Sequence, residues 1–288
     1  MTIDPDKLLA WPFEEVEQTY TVKDAILYAL GTGFGHDPVD QGQLPFVFEE
    51  AGFKAVPTMA VVLAGPGFWF RNPETGIDWH KILHGEQAIR LHKPLPPSAT
   101  VTARTRITDI LDKGAEKGAL IYSERDLIDK TTGNKLATLS STTFARGNGG
   151  FGGNPGPQPK PHTLPDRMPD AVCDLPTLPQ SALLYRLSGD PNPLHADPAV
   201  ATDAGFTAPI LHGLCTLGIA GHAVLRSFCK YDTSLFKSLK LRFSSPVYPG
   251  ETIRTEMWLD GDEVSFRSRA LERGVVVLDN GRVEVGAA

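Results

Sequence analysis

A carboxylate, an amide and an imidazole fall within six residues at Asp190, Asn192 and His195. They belong to the stretch Tyr185-Arg186-Leu187-Ser188-Gly189-Asp190-Pro191-Asn192-Pro193-Leu194-His195-Ala196-Asp197-Pro198. Pro191 and Pro193 fix φ, and Gly189 admits unusual backbone angles, so this loop is suited to hold its side chains in one geometry. An Asp and a His aimed at one point can share a water molecule. One acts as base toward it and the other supplies or relays a proton. Asn192 can orient that water or lock the imidazole. Residue types alone also allow a plainer reading, a helix-entry turn held by Asx hydrogen bonds. A metal set of Asp190, His195 and Asp197 lacks the usual ligand types and spacing, so no metal is expected.

Composition narrows the partners. The 288 residues carry 28 Lys and Arg against 34 Asp and Glu, a net charge of −6. That field opposes nucleic acid, which needs a basic surface, but a few local cations suffice for an anionic small ligand. With 41% hydrophobic and 22% charged residues the chain is ordinary globular material. Met1-Thr2-Ile3-Asp4-Pro5-Asp6 has neither the basic nor the apolar segment of a secretory signal. Gly286-Ala287-Ala288 is no peroxisomal tripeptide. The uncharged run 204–225 contains Pro209, His212, His222 and four glycines. It reads as a packed helix with its entry loop, so no membrane partner is expected. Cys173, Cys215 and Cys229 form no CxxC pair, which points to a reducing, cytoplasmic location. Gly31-Thr32-Gly33-Phe34-Gly35 and the run 149–153 lack the spacing of nucleotide-binding loops.

The elements that must position the loop fall into two halves. Residues 147–169 are about half Gly and Pro, which suits a surface connection between 1–146 and 170–288. The halves repeat each other. Ala25-Ile26-Leu27-Tyr28-Ala29-Leu30 returns as Ala182-Leu183-Leu184-Tyr185-Arg186-Leu187, and Leu83-His84-Gly85 as Leu211-His212-Gly213. Lys93-Pro94-Leu95-Pro96-Pro97-Ser98-Ala99-Thr100-Val101 returns as Ser245-Pro246-Val247-Tyr248-Pro249-Gly250-Glu251-Thr252-Ile253. Helical character is expected after each Leu-His-Gly, short in the first half and clear at 211–225. Alternation predicts strands over 101–110, 119–127 and 135–144, then 239–243, 253–259, 264–268 and 274–278, with Asp279-Asn280-Gly281 as a turn. Such an order is α+β, a sheet wrapped around a helix. The apolar stretch 55–70 is expected to supply the first half's helix and cavity lining. Tyr185, Leu183, Leu184 and His222 read as core or helix-face residues, and His212 as a capping or packing residue.

The loop 185–198 resembles the signature of the MaoC-like (hydratase 2) family of R-specific enoyl-CoA hydratases. Lys81-Ile82-Leu83-His84-Gly85-Glu86-Gln87, Leu111-Asp112-Lys113-Gly114 and Gly149-Gly150-Phe151-Gly152-Gly153 are similar to the N-terminal half of eukaryotic-type hydratase 2. Pro209-Ile210-Leu211-His212-Gly213 and Phe243-Ser244-Ser245-Pro246-Val247-Tyr248-Pro249-Gly250 are similar to its C-terminal half. The resemblance implies a double hot-dog, with 1–146 shaping the acyl cavity, 147–169 linking, and 170–288 catalytic. It implies reversible syn hydration of a trans-2-enoyl-CoA to a (3R)-3-hydroxyacyl-CoA. Asp190 and His195 would bind the water, Asn192 would support them, and the Gly213 N–H would donate to the thioester oxygen. His84, Gly85, Lys113 and Phe243 would contact CoA, with Pro191, Pro193 and Leu194 also on the substrate side. It further implies a homodimer and no cofactor beyond the thioester substrate itself. Two alternatives stay open: hydration or dehydration of an unusual steroid side-chain or branched acyl-CoA, and a non-catalytic acyl-thioester binding module. Aligning Tyr28 with Tyr185 places Gly33 opposite Asp190, so one active site per chain is expected.

Overall fold

The computed structural model describes residues 3–286. Ten strands form one antiparallel sheet: β1 (Glu15–Tyr20), β2 (Ile82–Leu91), β3 (Ala99–Asp112), β4 (Ala119–Asp129), β5 (Lys135–Ala145), β6 (Ala171–Pro176), β7 (Phe236–Phe243), β8 (Thr252–Asp260), β9 (Glu263–Ala270) and β10 (Val275–Val285). Six α-helices accompany them: α1 (Pro5–Leu9), α2 (Val22–Gly31), α3 (Leu44–Val47), α4 (Ser181–Tyr185), α5 (Pro198–Asp203) and α6 (Gly213–Phe228). The strand order is β1-β3-β4-β5-β2-β7-β10-β9-β8-β6. Each half therefore contributes five neighbouring strands, and β2 joins β7 in register Glu86↔Arg242 to Arg90↔Ser238. This is the α+β arrangement expected from the alternation.

Local chemistry explains the elements. Along β7, Leu239 and Leu241 are sealed in the core while Lys240 and Arg242 point to solvent, the period of two that a half-buried strand requires. Thr21 caps α2 with a full capping box through Asp24, which satisfies orphan N–H groups at the helix start. From Cys215 to Leu225 every residue of α6 is buried, so this helix is the core around which the second half's sheet curls. Full burial of Leu217, Val224 and Leu225 contributes about 1.5–3 kcal/mol each.

Four expectations are corrected. Leu83-His84-Gly85 lies in strand β2, not before a helix, so it and Leu211-His212-Gly213 are alike in sequence but not in position. The 55–70 stretch forms no long helix. Pro57–Val62 is a single 3-10 segment, and it packs on α6 where a Cβ on Gly221 would come within 2.6 Å of Thr58 Cγ2. Pro57 and the short turns around it prevent a continuous i→i−4 ladder. Asp279-Asn280-Gly281 is a bulge inside β10, with Asn280 at φ 53°, rather than a turn. Leu183 is exposed rather than core. The repeated helices meet directly: α2 and α4 pack together, with the Tyr28 and Tyr185 rings 5.8 Å apart.

Candidate active site

The loop between α4 and α5 carries Asp190, Asn192 and His195 and lies over the start of α6. Gly189 adopts φ 123°, a conformation that strains any side chain. Two short turns then fix the loop: the Asn192 N–H donates to Asp190 Oδ1 at 3.2 Å, and the Leu194 N–H to Asn192 Oδ1 at 3.1 Å. Asn192 thus acts as the cap of the turn that presents His195. Asp197 is spent on capping α5, accepting from the Ala199 N–H.

Histidine chemistry follows from its bonds. His195 Nδ1–H donates to the Ile210 carbonyl at 2.8 Å, which leaves Nε2 as the free lone pair. Its ring stacks on His212, with centroids 3.7 Å apart. His212 Nε2–H donates to the backbone oxygen of Asp190 at 3.2 Å. Burial lowers both imidazoles below the usual range, His212 to about 4, with His195 as a second cause for His212. Both rings are therefore neutral at pH 7. His212 contacts both ends of the loop, so its reading as a capping or packing residue gains a specific partner in His195.

A ligand atom from each of Asp190, His195 and His212 lies within 4.8 Å of the others.

Buried polar groups without partners gather here. Among the described residues, Tyr185 OH, Arg186 Nε, Ser188 Oγ and His212 Nδ1 lack an acceptor or donor, and only Arg125 Nε does so elsewhere. Native interiors leave few such groups, and Arg186, Ser188 and His212 gather three of them around this loop, while Tyr185 lies against Tyr28 in the core.

Beside the loop opens a cavity of about 650 Å³, within the range of ligand sites. Of the residues expected from sequence, His84, Gly85, Lys113, His195, Gly213 and Phe243 line it. Asp190 is not among the lining residues, and its charge opposes the loss of protonation at His84, His195 and His212. Pro191 and Pro193 are exposed, and with Asn192 and Leu194 they stand outside the lining. Gly213 begins α6, so its N–H points outward at the positive end of a sixteen-residue helix. A Cβ there would meet the Phe243 ring at 3.1 Å. His84 packs on the same ring, 4.8 Å away. It is enclosed by protein, which pulls its imidazole down to about 4, yet it keeps accessible surface because it faces the cavity.

Cations stand at this cavity too. Lys113, Lys117, Arg146 and Arg242 line it, and none of the four forms an ion pair among the described residues. Lys113 Nζ donates to the Pro155 carbonyl at 3.0 Å. Its turn is anchored by Asp112, whose carboxylate accepts from Gly114, Gly150 and Gly152 at 2.7–2.9 Å. The glycine run is therefore a cradle for Asp112. Lys117, Arg146 and Arg242 carry no motif of their own, and only the fold collects them.

The model of the MaoC like domain matches residues 161–280, and that of the MFE-2 hydratase 2 N-terminal domain matches 18–147. Peroxisomal enoyl-CoA hydratase 2 of Arabidopsis thaliana is 39% identical over 295 residues, covering 95% of this chain and 93% of that one. The structure of a MaoC-like dehydratase from Phytophthora capsici superposes with a TM-score of 0.86 at 37% identity, covering 98% and 99% of the two chains. A Mycobacterium tuberculosis protein described as a double hotdog fold shares the fold at 17% identity, TM-score 0.59, over 96% of this chain and 94% of that one. Models that match both halves, together with identity sustained along nearly the full length, establish that the chain belongs to the MaoC-like dehydratase and hydratase 2 family.

Proposed function

We propose that this chain adds water reversibly and with syn geometry across C2=C3 of a trans-2-enoyl-CoA, giving a (3R)-3-hydroxyacyl-CoA. One observation carries the reading: the His195 bond to Ile210 leaves Nε2 as the free lone pair of a ring that borders the same cavity as the start of α6, and a ligand atom of that ring lies within 4.8 Å of one on Asp190. A water held between the carboxylate and Nε2 loses a proton as its oxygen attacks C3. A proton returned to C2 from the same face completes the addition. Negative charge develops on the thioester oxygen, where the Gly213 N–H and the helix terminus stabilise it. The cations at the cavity suit the phosphates of CoA, and the names of relatives such as enoyl-CoA hydratase 2 point to the same substrate class.

The reading needs no cofactor and places one site in each chain, since Gly33 stands where Asp190 does in the repeat. A homodimer is proposed on family grounds. The three cysteines are free and buried, which supports a reducing compartment, the cytoplasm. No helix among the described residues is long and apolar enough to cross a membrane.

Crotonyl-CoA hydration, followed by loss of enoyl-thioester absorbance, tests the proposal. Asp190→Asn and His195→Ala are expected to fold and to lose roughly 10²–10⁴ in rate. Near-full activity in both variants overturns the assignment. Titration with a saturated acyl-CoA is expected to show a single site per chain, and two equal sites contradict it.

A further inference from the structure

The Gly/Pro linker is built into the mouth of the active-site cavity. Lys113 opens the turn between β3 and β4, which closes through the Lys113 N–H to the Gly118 carbonyl at 2.9 Å and the Lys117 N–H to the Gly114 carbonyl at 3.0 Å. The linker runs against this turn. A Cβ on Gly149 would collide with the Gly114 carbonyl oxygen and come within 2.7 Å of that of Gly118, and one on Gly150 would lie 3.0 Å from the Ala115 Cβ. Glycine permits so close an approach of two backbones. Further along, the Asp112 N–H donates to the Asn154 carbonyl at 2.8 Å and the Lys113 ammonium to the Pro155 carbonyl at 3.0 Å. Gln158 then borders the cavity itself.

Asp112 is the clamp between turn and linker. Its buried carboxylate accepts from the N–H of Gly114 in the turn and from those of Gly150, Gly152 and Gly153 in the linker, at 2.7–3.3 Å. Both oxygens are thereby occupied, and among the described residues no ion pair joins Asp112 to Lys113. The Lys113 ammonium spends one of its three donors on Pro155 and keeps two. Lys113 is half-buried and borders the cavity, whereas Asp112 does not. A cation whose backbone is fixed before binding loses less freedom when it meets an anion.

Building on the hydratase reading, which makes CoA the ligand, we propose that Asp112 is a positioning residue: its carboxylate fastens the linker to the β3–β4 turn and so holds Lys113 toward the CoA phosphates. Asp112 touches no substrate and acts through Lys113. The sign of its effect separates positioning from charge. Neutralising a carboxylate beside an anion site strengthens anion binding by charge alone, whereas releasing the clamp weakens it.

Calorimetric titration of CoA into wild type, D112N, K113M and the double variant tests this. Asn fills the same volume and its Oδ1 can keep the bonds from Gly114 and Gly150, but its amide group opposes the Gly152 and Gly153 donors. D112N is expected to raise Kd for CoA by roughly five- to tenfold alone and by less than about twofold when added to K113M. An unchanged or lower Kd in D112N overturns the proposal. So does an equal rise in both backgrounds, which a general deformation of the cavity would give. Gly149→Ala loosens the same clamp from the linker side with Asp112 intact. It is expected to repeat the pattern, and it decides the matter should D112N not fold. Binding is read without turnover. Failure to hydrate crotonyl-CoA would therefore count against the hydratase reading alone.

Discussion

His195 and His212 stack face to face, with ring centroids 3.7 Å apart and 27° between the planes. Two imidazoles this close in a buried site do not both carry charge, and the chemistry proposed for His195 needs it neutral. Burial holds His195 below the ordinary imidazole value. Protonation, and with it loss of the base, therefore sets in only as pH falls through that depressed value. The kcat/KM profile is expected to stay level down through about 6.5, the free imidazole value, and to fall below it. An acid limb centred at or above that pH contradicts a buried, neutral base.

His212→Ala removes both the stack and the hydrogen bond to the Asp190 carbonyl. The loop then loses the contact that ties its carboxylate end to its imidazole end. We expect kcat to fall by roughly 10- to 100-fold with KM little changed, the pattern of a misplaced catalytic group. Steady-state kinetics at saturating crotonyl-CoA separates the two constants.

Gly213 and Phe243 are matched in size. An added Cβ at 213 would lie 3.1 Å from Cε1 of the ring, so Gly213→Ala must displace Phe243 or tilt the first turn of α6. A drop in kcat/KM of about tenfold is expected. The double variant Gly213→Ala, Phe243→Leu is expected to recover part of it. Unchanged activity in the single variant argues against Gly213 as the oxyanion donor's position.

His222 lies in the middle of α6, fully buried, stacked 3.7 Å from Phe34 and bonded to the Thr32 carbonyl. Burial lowers its pKa from 6.5 to about 4. The folded value is below the unfolded one, so this stability is present above 6.5 and is lost as pH falls toward 4. The loss attributable to His222 is about 3 kcal/mol. Denaturant unfolding at a series of pH values should show a shallower acid slope in His222→Phe, and an unchanged slope would assign the acid sensitivity elsewhere.

Lys113 and Arg242 reach the cavity from the two halves of the chain. Replacing either with Met is expected to raise KM for an enoyl-CoA several-fold and leave kcat near its starting value, because CoA phosphates are bound equally in ground and transition states. The corresponding pantetheine thioester, which lacks those phosphates, should show no such increase. A rise for both substrates would mean that the substitution deforms the cavity instead.

Much of this protein is written locally. Alternation along β7 and β8 and the apolar face of α6 are properties of neighbouring residues, so they could be read without coordinates. The loop 185–198 is likewise self-contained, since its prolines, glycine and Asx turns act over two to four residues. What lay beyond reach depended on residues distant in the chain. Only the fold stacks His212 on His195, places Arg242 with Arg146 and Lys117, and turns the glycine run into a cradle for Asp112. Similar local sequence also misled: Leu83-His84-Gly85 and Leu211-His212-Gly213 share letters, yet one is a strand and the other opens a helix. Three residues do not choose between those states by themselves, and pairing with β5 and β7 decides for the first. The sequence by itself determined the strand and helix periods and the reactive loop. Tertiary structure decided which charges are buried and which meet, because burial and pairing are properties of surfaces that form only when distant segments pack.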